Sequence, residues 1–423
     1  MACTRITHIR AELTDRNQGK VEMGARTLLY KIIGKPKPRR VWVDTAPAMK
    51  VATADFTTKF AAVLGEVPVN LFYWPDYTKG NKYQKLLYGS ETPNFSFAPA
   101  PLEQATKSLL ENKDQKTVFH LHWVNFLFSG VADHEMANVC GSFVESCKAF
   151  QKSGGILVWT VHNLLEHESR DHKLELKLRR DLAGIVDAIF VHGEQAKTAV
   201  AHATSVDAGK IIVAEHGNYV GAYSDTISLH CARKAFGFDS DTTVFLNLGA
   251  IRSYKGADSL FELMTDINGD GYAAKLLLAG RMRPDEAQAM KTLIADNDSV
   301  ILHDAWVEHD EMQNYINAAD FMVLPYKRIL TSGSVFLALS FALPVVAPRL
   351  GNLSEVITDG FNGFLYNADD PDGLRTALLR AADTSPEERA VMRFNAFSSV
   401  SGMLWSKARF QLFDVIKNAA PPH

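Results

Sequence analysis

The 423-residue sequence predicts an α/β protein built from two doubly wound parallel-sheet domains facing each other across a cleft. Three observations predict it. Short apolar runs of strand type alternate with longer helical segments, the pattern of parallel sheets covered on both faces. The alternation stops over 221–241, where Gly221, Asp225, Gly237 and Asp239 punctuate the chain, and starts afresh at Val244. The length suffices for two separate cores.

Residues 1–38 carry scattered charges and end in Gly34-Lys35-Pro36-Lys37-Pro38, an extension closed by a turn. Residues 41–44 then read as a strand, 55–64 as a helix, and 69–74 as a strand set between Pro68 and Pro75. The stretch 77–100, with its Tyr, Lys, Asn and Pro residues, reads as loops facing an acceptor. Strand 117–121, helix 136–150 and strand 156–160 follow. Next comes a helix at 172–183, with Lys173, Glu175, Lys177, Arg179 and Arg180 on its solvated side, then strands 188–191 and 211–214. The second domain repeats the theme, with strands at 244–248, 274–279, 300–302, 321–324 and 343–347 and helices at 257–265, 285–294, 308–318 and 333–342. The expected division is 1–38 extension, 39–230 first domain, 231–395 second domain, and 396–423 a helical segment packing back on the first. In that segment Phe410, Leu412, Phe413 and Ile416 are expected to face a core.

Bulk properties exclude several classes. Net charge is -3, from 45 basic and 48 acidic side chains, so no global field draws the chain to nucleic acid. Cys3, Cys140, Cys147 and Cys231 lack metal-type pairing and read as free thiols of a reducing compartment. No apolar leader and no run of membrane-spanning length stands out. The expectation is a cytoplasmic protein, resting on the inner face of a membrane if its acceptor is a lipid.

In open α/β sheets ligands bind beyond the carboxyl ends of the strands. After 156–160 stand His162 and Asn163, then Glu166, His167 and Glu168. An imidazole there suits a sugar hydroxyl or a phosphate, or else closes the loop. His120 and His122 share one strand face, but no third ligand suggests itself, so no metal site is expected. Gly217, after His216, is either a close-approach glycine or an ordinary turn. In the second domain Gly249 precedes Arg252, Lys255 and Gly256, cations that suit a diphosphate. Gly280-Arg281-Met282-Arg283 repeats the theme. Thr331, Ser332, Gly333 and Ser334 open an apolar helix, whose exposed amides suit a phosphate; simple N-capping explains the same residues. Neither a dinucleotide fingerprint nor a nucleoside-triphosphate loop is present.

In this order and spacing, several segments resemble the retaining glycosyltransferases of family four, most strongly over 244–366. Gly249-Ala250-Ile251-Arg252-Ser253-Tyr254-Lys255-Gly256 resembles the family's G-R-L-x-x-x-K-G loop, with Ala250 in place of its arginine. Ala319–Pro325 resembles A-D-x-x-v-x-P, Leu343–Ala347 resembles x-P-V-v-A, and Glu355–Gly360 with Gly363-Phe364-Leu365 resembles E-v-i-x-d-G-x-x-G-x-L. Thr160-Val161-His162 resembles T-x-H, whose histidine lies beside the transferred sugar. The resemblance implies the GT-B fold of two Rossmann-like domains and a metal-free reaction. A hexose would pass from a UDP- or GDP-linked donor to a saccharide or polyprenyl-linked saccharide, with retention, in cell-surface polysaccharide synthesis. His162, Arg252 and Lys255 would be catalytic. Gly249, Arg252, Lys255, Arg281, Thr331, Ser332, Gly333, Ser334 and Glu355 would hold the donor.

The chain departs from the family at two glutamates eight positions apart, where it has Ile329 and Leu337, and at a glycine, where it has Ala342. Neither apolar side chain can accept a hydroxyl hydrogen bond, so hexose and ribose must be read by other groups. Alternatives are a GT-B epimerase, an inverting transferase, or a catalytically impaired partner protein.

Overall fold

The computed structural model describes residues 67–89, 92–165, 169–252, 255–294 and 297–418. The extension 1–38, the strand expected at 41–44, the helix at 55–64 and Glu166, His167 and Glu168 lie outside the described residues.

The first sheet holds β1 (Val69–Trp74), β2 (Phe95–Pro99), β3 (Lys116–Leu121), β4 (Ile156–Thr160), β5 (Ala188–Val191) and β6 (Ile211–Val213), in the order β2-β1-β3-β4-β5-β6. The second holds β7 (Thr243–Leu248), β8 (Ala274–Ala279), β9 (Val300–His303), β10 (Phe321–Val323), β11 (Val345–Pro348) and β12 (Gly363–Tyr366), in the order β12-β11-β10-β7-β8-β9. Every pairing is parallel. The helices of the first half are α1 (Lys82–Tyr88), α2 (Leu102–Glu111), α3 (Met136–Lys152), α4 (His172–Ile185) and α5 (Glu194–Thr204). Those of the second are α6 (Leu229–Phe236), α7 (Ser259–Gly269), α8 (Pro284–Ile294), α9 (Met312–Ala318), α10 (Gly333–Ser340), α11 (Leu353–Val356) and α12 (Gly373–Ala382). Two more, α13 (Pro386–Ser401) and α14 (Trp405–Asn418), close the chain's described part.

Burial follows strand position. Every residue of β4, β5, β7 and β10 is buried, because helices cover both faces of the central strands. The edge strands β2 and β9 contain no buried residue. The GT-B architecture expected from the sequence is thus the architecture observed.

Three expectations are corrected. The stretch 77–100 is not loop throughout. Asn81 caps α1 by accepting from the Tyr83 amide, Tyr83, Gln84, Leu87 and Tyr88 turn inward, and Phe95–Pro99 adds an edge strand. On α4, Lys173, Lys177 and Arg180 are exposed, whereas Glu175 and Arg179 are buried and ion-paired at 3.2 Å, one helical turn apart. The helix lies between α3 and α5, so the charged stripe is not all solvated. On α14, Leu412, Phe413 and Ile416 are buried, but Phe410 lies at the side of the face they share and is exposed.

The last two helices part company. α13, opened by a Ser385–Glu388 capping box, packs on α10 of the second domain. α14 crosses to the first: Phe413 meets Phe95 at 4.1 Å, and Arg409 donates to the Leu87 carbonyl at 2.8 Å. Its Trp405 lies against Gly217, where an added Cβ would fall 2.3 Å from the indole. What approaches that glycine closely is therefore a tryptophan of the same chain.

Candidate active site

The carboxyl ends of both sheets meet across the cleft, and chemistry-bearing residues collect there. On the first-domain side, His120 and His122 come from β3, Thr160 and His162 from β4, His192 from β5 and His216 from β6. All six are buried. Burial is the leading cause that pushes His120 down to about 3 and His192 to about 4, and it holds His122, His162 and His216 well below the ordinary imidazole value. Five neutral imidazoles therefore line this edge at neutral pH.

Hydrogen bonds join three of them, and separate ones hold His192. The Tyr88 hydroxyl lies 2.7 Å from both His120 Nδ1 and His122 Nε2. His120 Nε2 meets Thr160 Oγ1 at 2.7 Å, and His122 Nδ1 meets His162 Nε2 at 3.1 Å. Tyr83 Oη lies 3.0 Å from His192 Nε2, and His192 Nδ1 donates to the Ala214 carbonyl at 2.7 Å. His120 and His122 do share a strand face, and the group they share is a tyrosine hydroxyl. Among the described residues no group of three or more His, Cys, Asp or Glu is arranged to hold a metal ion. The His162 ring stacks on Trp123 with centroids 4.0 Å apart and 11° between planes, and Tyr83 meets it edge-on at 4.9 Å.

His216 touches the second domain. Its ring lies parallel to Phe336 of α10 at 4.3 Å, and Nδ1 donates to the Gly217 carbonyl at 2.6 Å. In a neutral ring that leaves Nε2 as an acceptor. A Cβ placed on Gly333 would lie 3.9 Å from this nitrogen and 3.5 Å from the Tyr219 hydroxyl, so the start of α10 faces both.

On the second-domain side the loop after β7 carries the cations. Gly249, at φ +116°, and Gly280, at φ +155°, let two post-strand loops touch, and a Cβ on Gly280 would fall 1.8 Å from the Gly249 carbonyl oxygen. Arg252 is held there, donating to the carbonyls of Ile251 at 2.7 Å and Arg281 at 3.0 Å. The half-buried Lys255 brings its ammonium to Gly249, 3.8 Å from where a Cβ would be. Desolvation, then the neighbouring Arg252 charge, lowers Lys255 to about 8. The Arg281 side chain is exposed.

The start of α10 settles the capping alternative. Ser332 is the N-cap residue, but its side chain makes no capping bond and instead meets the Tyr326 hydroxyl at 3.0 Å. The Thr331 hydroxyl is buried without a partner. Uncapped first-turn amides, an orphan hydroxyl and the positive end of the helix dipole together favour an anion. Glu355 stands elsewhere: its carboxylate accepts from the amides of Glu194 at 2.9 Å and Gln195 at 2.7 Å, capping α5 of the first domain. Ile329 and Leu337 pack into the second-domain core. Ile329 also lines a cavity of about 350 Å³ shared by both domains, with Asn163 and Gln195 opposite.

The sequence reading missed Tyr83, Tyr88, His192 and Trp405. The strand-end rule applied after β5 would have found His192, since it directly follows Val191. The tyrosines lay in the stretch read as loop.

Residues 242–384 match the model of the family described as glycosyl transferases group 1. A GDP-mannose:glycolipid 4-beta-D-mannosyltransferase of Xanthomonas campestris is 26% identical over 64% of this chain and 73% of its own length. A D-inositol 3-phosphate glycosyltransferase of Catenulispora acidiphila is 27% identical over 44% of this chain and 47% of its own. Among solved structures, Anabaena HepE in complex with UDP superimposes with a TM-score of 0.62 at 12% identity, covering 83% of this chain and 99% of that one. Sucrose-phosphate synthase from Thermosynechococcus elongatus gives 0.59 at 16% identity, covering 82% and 97%. The fold is GT-B, and the second domain is that of a glycosyltransferase. No helix among the described residues is long and apolar enough to cross a membrane.

Proposed function

We propose that this GT-B glycosyltransferase moves a hexose from a nucleoside-diphosphate sugar to a saccharide or lipid-linked saccharide at the cytoplasmic face of a membrane. The observation that carries the reading is the uncapped start of α10, with the buried, partnerless Thr331 hydroxyl, on the same sheet edge as Arg252 and Lys255. Two cations and free amides fit a diphosphate better than any neutral ligand. Their catalytic task is to stabilise the negative charge that grows on the departing diphosphate. Lys255 suits that task because its ammonium is already desolvated, so little solvent reorganises as charge develops.

In this reading the sugar lies between α10 and His162. His216 Nε2 and the Tyr219 hydroxyl take over hydroxyl recognition from the glutamates that Ile329 and Leu337 replace. The cavity lined by Asn163, Gln195 and Ile329 receives the acceptor. Glu355 acts as a clasp between domains and not as a donor ligand.

Retention follows the family-four pattern, in which the leaving phosphate takes the acceptor proton. The deeply lowered basicity of His162 agrees, since so weak a base cannot hold a proton at neutral pH. The second reading, inversion, is favoured by the β-linkage in the name of the Xanthomonas relative. The test is incubation with UDP- and GDP-hexoses, with and without a polyprenyl-linked saccharide. Release of nucleoside diphosphate that requires the acceptor supports transfer, and the anomeric coupling of the product by NMR decides retention or inversion. Release or interconversion of the donor without acceptor would replace the transferase reading with hydrolase or epimerase chemistry.

A further inference from the structure

Ser332 stands where a hydroxyl ordinarily closes a helix start, and it does not close this one. It is the N-cap residue of α10, with the extended backbone from which a serine oxygen accepts the amide two or three residues on. Its side chain makes no such bond. The Ser332 oxygen lies 3.0 Å from the Tyr326 hydroxyl instead, and both residues are buried. Whichever hydroxyl donates, the pair satisfies itself and leaves the amides of Ser334 and Val335 uncapped.

Both partners are held by their backbones. The Tyr326 N–H donates to the Leu324 carbonyl at 2.9 Å, just past β10. The Pro325 carbonyl before it is pressed against the Lys255 loop, where a Cβ on Gly256, at φ +73°, would fall 2.2 Å from the oxygen. The Ser332 N–H donates to Asn352 Oδ1 at 3.3 Å. That bond orients the Asn352 amide, and the Nδ2 of this fully buried residue is left with no partner. A buried donor without an acceptor is a second sign, independent of the missing cap, that a ligand rich in acceptors completes this place. Energetics decide which bond Ser332 makes. Swinging to the helix would strand the Tyr326 hydroxyl in a buried site, and that loss exceeds what an N-cap gains. With phenylalanine at 326 the balance reverses, because the Ser332 hydroxyl is itself stranded unless it caps.

We propose that Tyr326 is a positioning residue whose hydroxyl holds Ser332 off the start of α10 and so reserves the first-turn amides for an anion. That the anion is a diphosphate rests on the transferase reading; the restraint on Ser332 does not. An unrestrained serine would compete with the ligand for the same amides, and each binding event would first have to break a cap.

The experiment compares Tyr326→Phe and Ser332→Ala, alone and combined, in the full chain. In the free protein, amide hydrogen exchange read by NMR is expected to slow at Ser334 or Val335 in Tyr326→Phe, because the released hydroxyl caps one of them. In calorimetry with UDP, GDP and ADP, the diphosphate that binds the wild type is expected to bind Tyr326→Phe about fivefold more weakly, the competition an ordinary N-cap offers. In the Ser332→Ala background the same change is expected to alter neither exchange nor affinity, since no hydroxyl is left to cap. A Tyr326 that serves packing alone would lower affinity by one factor in both backgrounds, and that result overturns the proposal. So does unslowed exchange in Tyr326→Phe, or unchanged affinity for a diphosphate that the wild type binds. Slowed exchange in a protein that binds none of the three contradicts the transferase reading and leaves the restraint on Ser332 standing.

Discussion

The two sheet edges that meet at the cleft are built on opposite principles. The first-domain edge is neutral and hydrogen-bonded mostly within itself: five buried imidazoles and two phenols bond to one another, to a threonine and to backbone carbonyls. The second-domain edge is charged and left open, with Lys255 desolvated beside Arg252, α10 uncapped and the Thr331 hydroxyl partnerless. A satisfied network gives orientation, because each member fixes the next. An unsatisfied one gives affinity, because a ligand of the right charge completes it. The contrast fits a division of labour in which one domain holds a diphosphate and the other presents shaped, uncharged groups to sugars.

The largest expected effect breaks the first edge with acid. His120 at about 3 and His192 at about 4 bind fewer protons folded than unfolded, where an imidazole titrates near its ordinary value. Their contribution is complete above that value and is lost as pH falls from about 6.5 toward 4 and then 3, at about 1.4 kcal/mol per pH unit for each group. Urea unfolding midpoints are expected to fall steeply below pH 6; a flat profile from 7 to 5 would show that the imidazoles are not held neutral by the fold. The second edge breaks by substitution. Lys255→Ala is expected to weaken diphosphate binding by about 2 kcal/mol, the range of a hydrogen bond to a charged group. Calorimetry checks this, with Tyr88→Phe as the control that leaves diphosphate affinity within about twofold, less than half a kcal/mol.

The same lysine sharpens the comparison through pH. A diphosphate binds its protonated form, so affinity should decline as pH rises through about 8. Affinity that is constant from pH 7 to 9 would remove Lys255 from the contact. Smaller effects test what joins the two regions and what the family departures cost. Glu355→Ala should lower stability by about 1 kcal/mol through loss of the α5 cap, visible in chemical unfolding. Ala342 sits at φ +54°, in the left-handed region, where the family has glycine. Ala342→Gly should therefore stabilise by about 1 kcal/mol, read as a rise in the unfolding midpoint.

The fold was legible because central parallel strands are apolar on both faces and need no partner to be recognised, as in Ile156–Thr160 and Thr243–Leu248. The cations at Arg252 and Lys255 and the small residues at 331–334 were legible because strand ends and helix starts are local features. The histidine cluster was not. His120, His122, His162 and His192 lie on three strands whose neighbourhood is a product of sheet order, and Tyr83 and Tyr88 sit on a short helix hidden in a Pro- and Asn-rich stretch. Periodicity says nothing of which side chains meet across a sheet. Glu355 misled for a related reason: its motif is local, while the amides it caps belong to a helix about 160 residues away.

The central claim is that the second-domain edge is a nucleoside-diphosphate site despite Ile329 and Leu337. Calorimetric titration of the wild type and Lys255→Ala with UDP, GDP and ADP tests it most directly. The account predicts saturable binding of one diphosphate to the wild type and a loss of about tenfold or more in the variant, as expected for one charge-assisted contact. Folded wild-type protein that binds none of the three, or a variant that binds as tightly as the wild type, would contradict it.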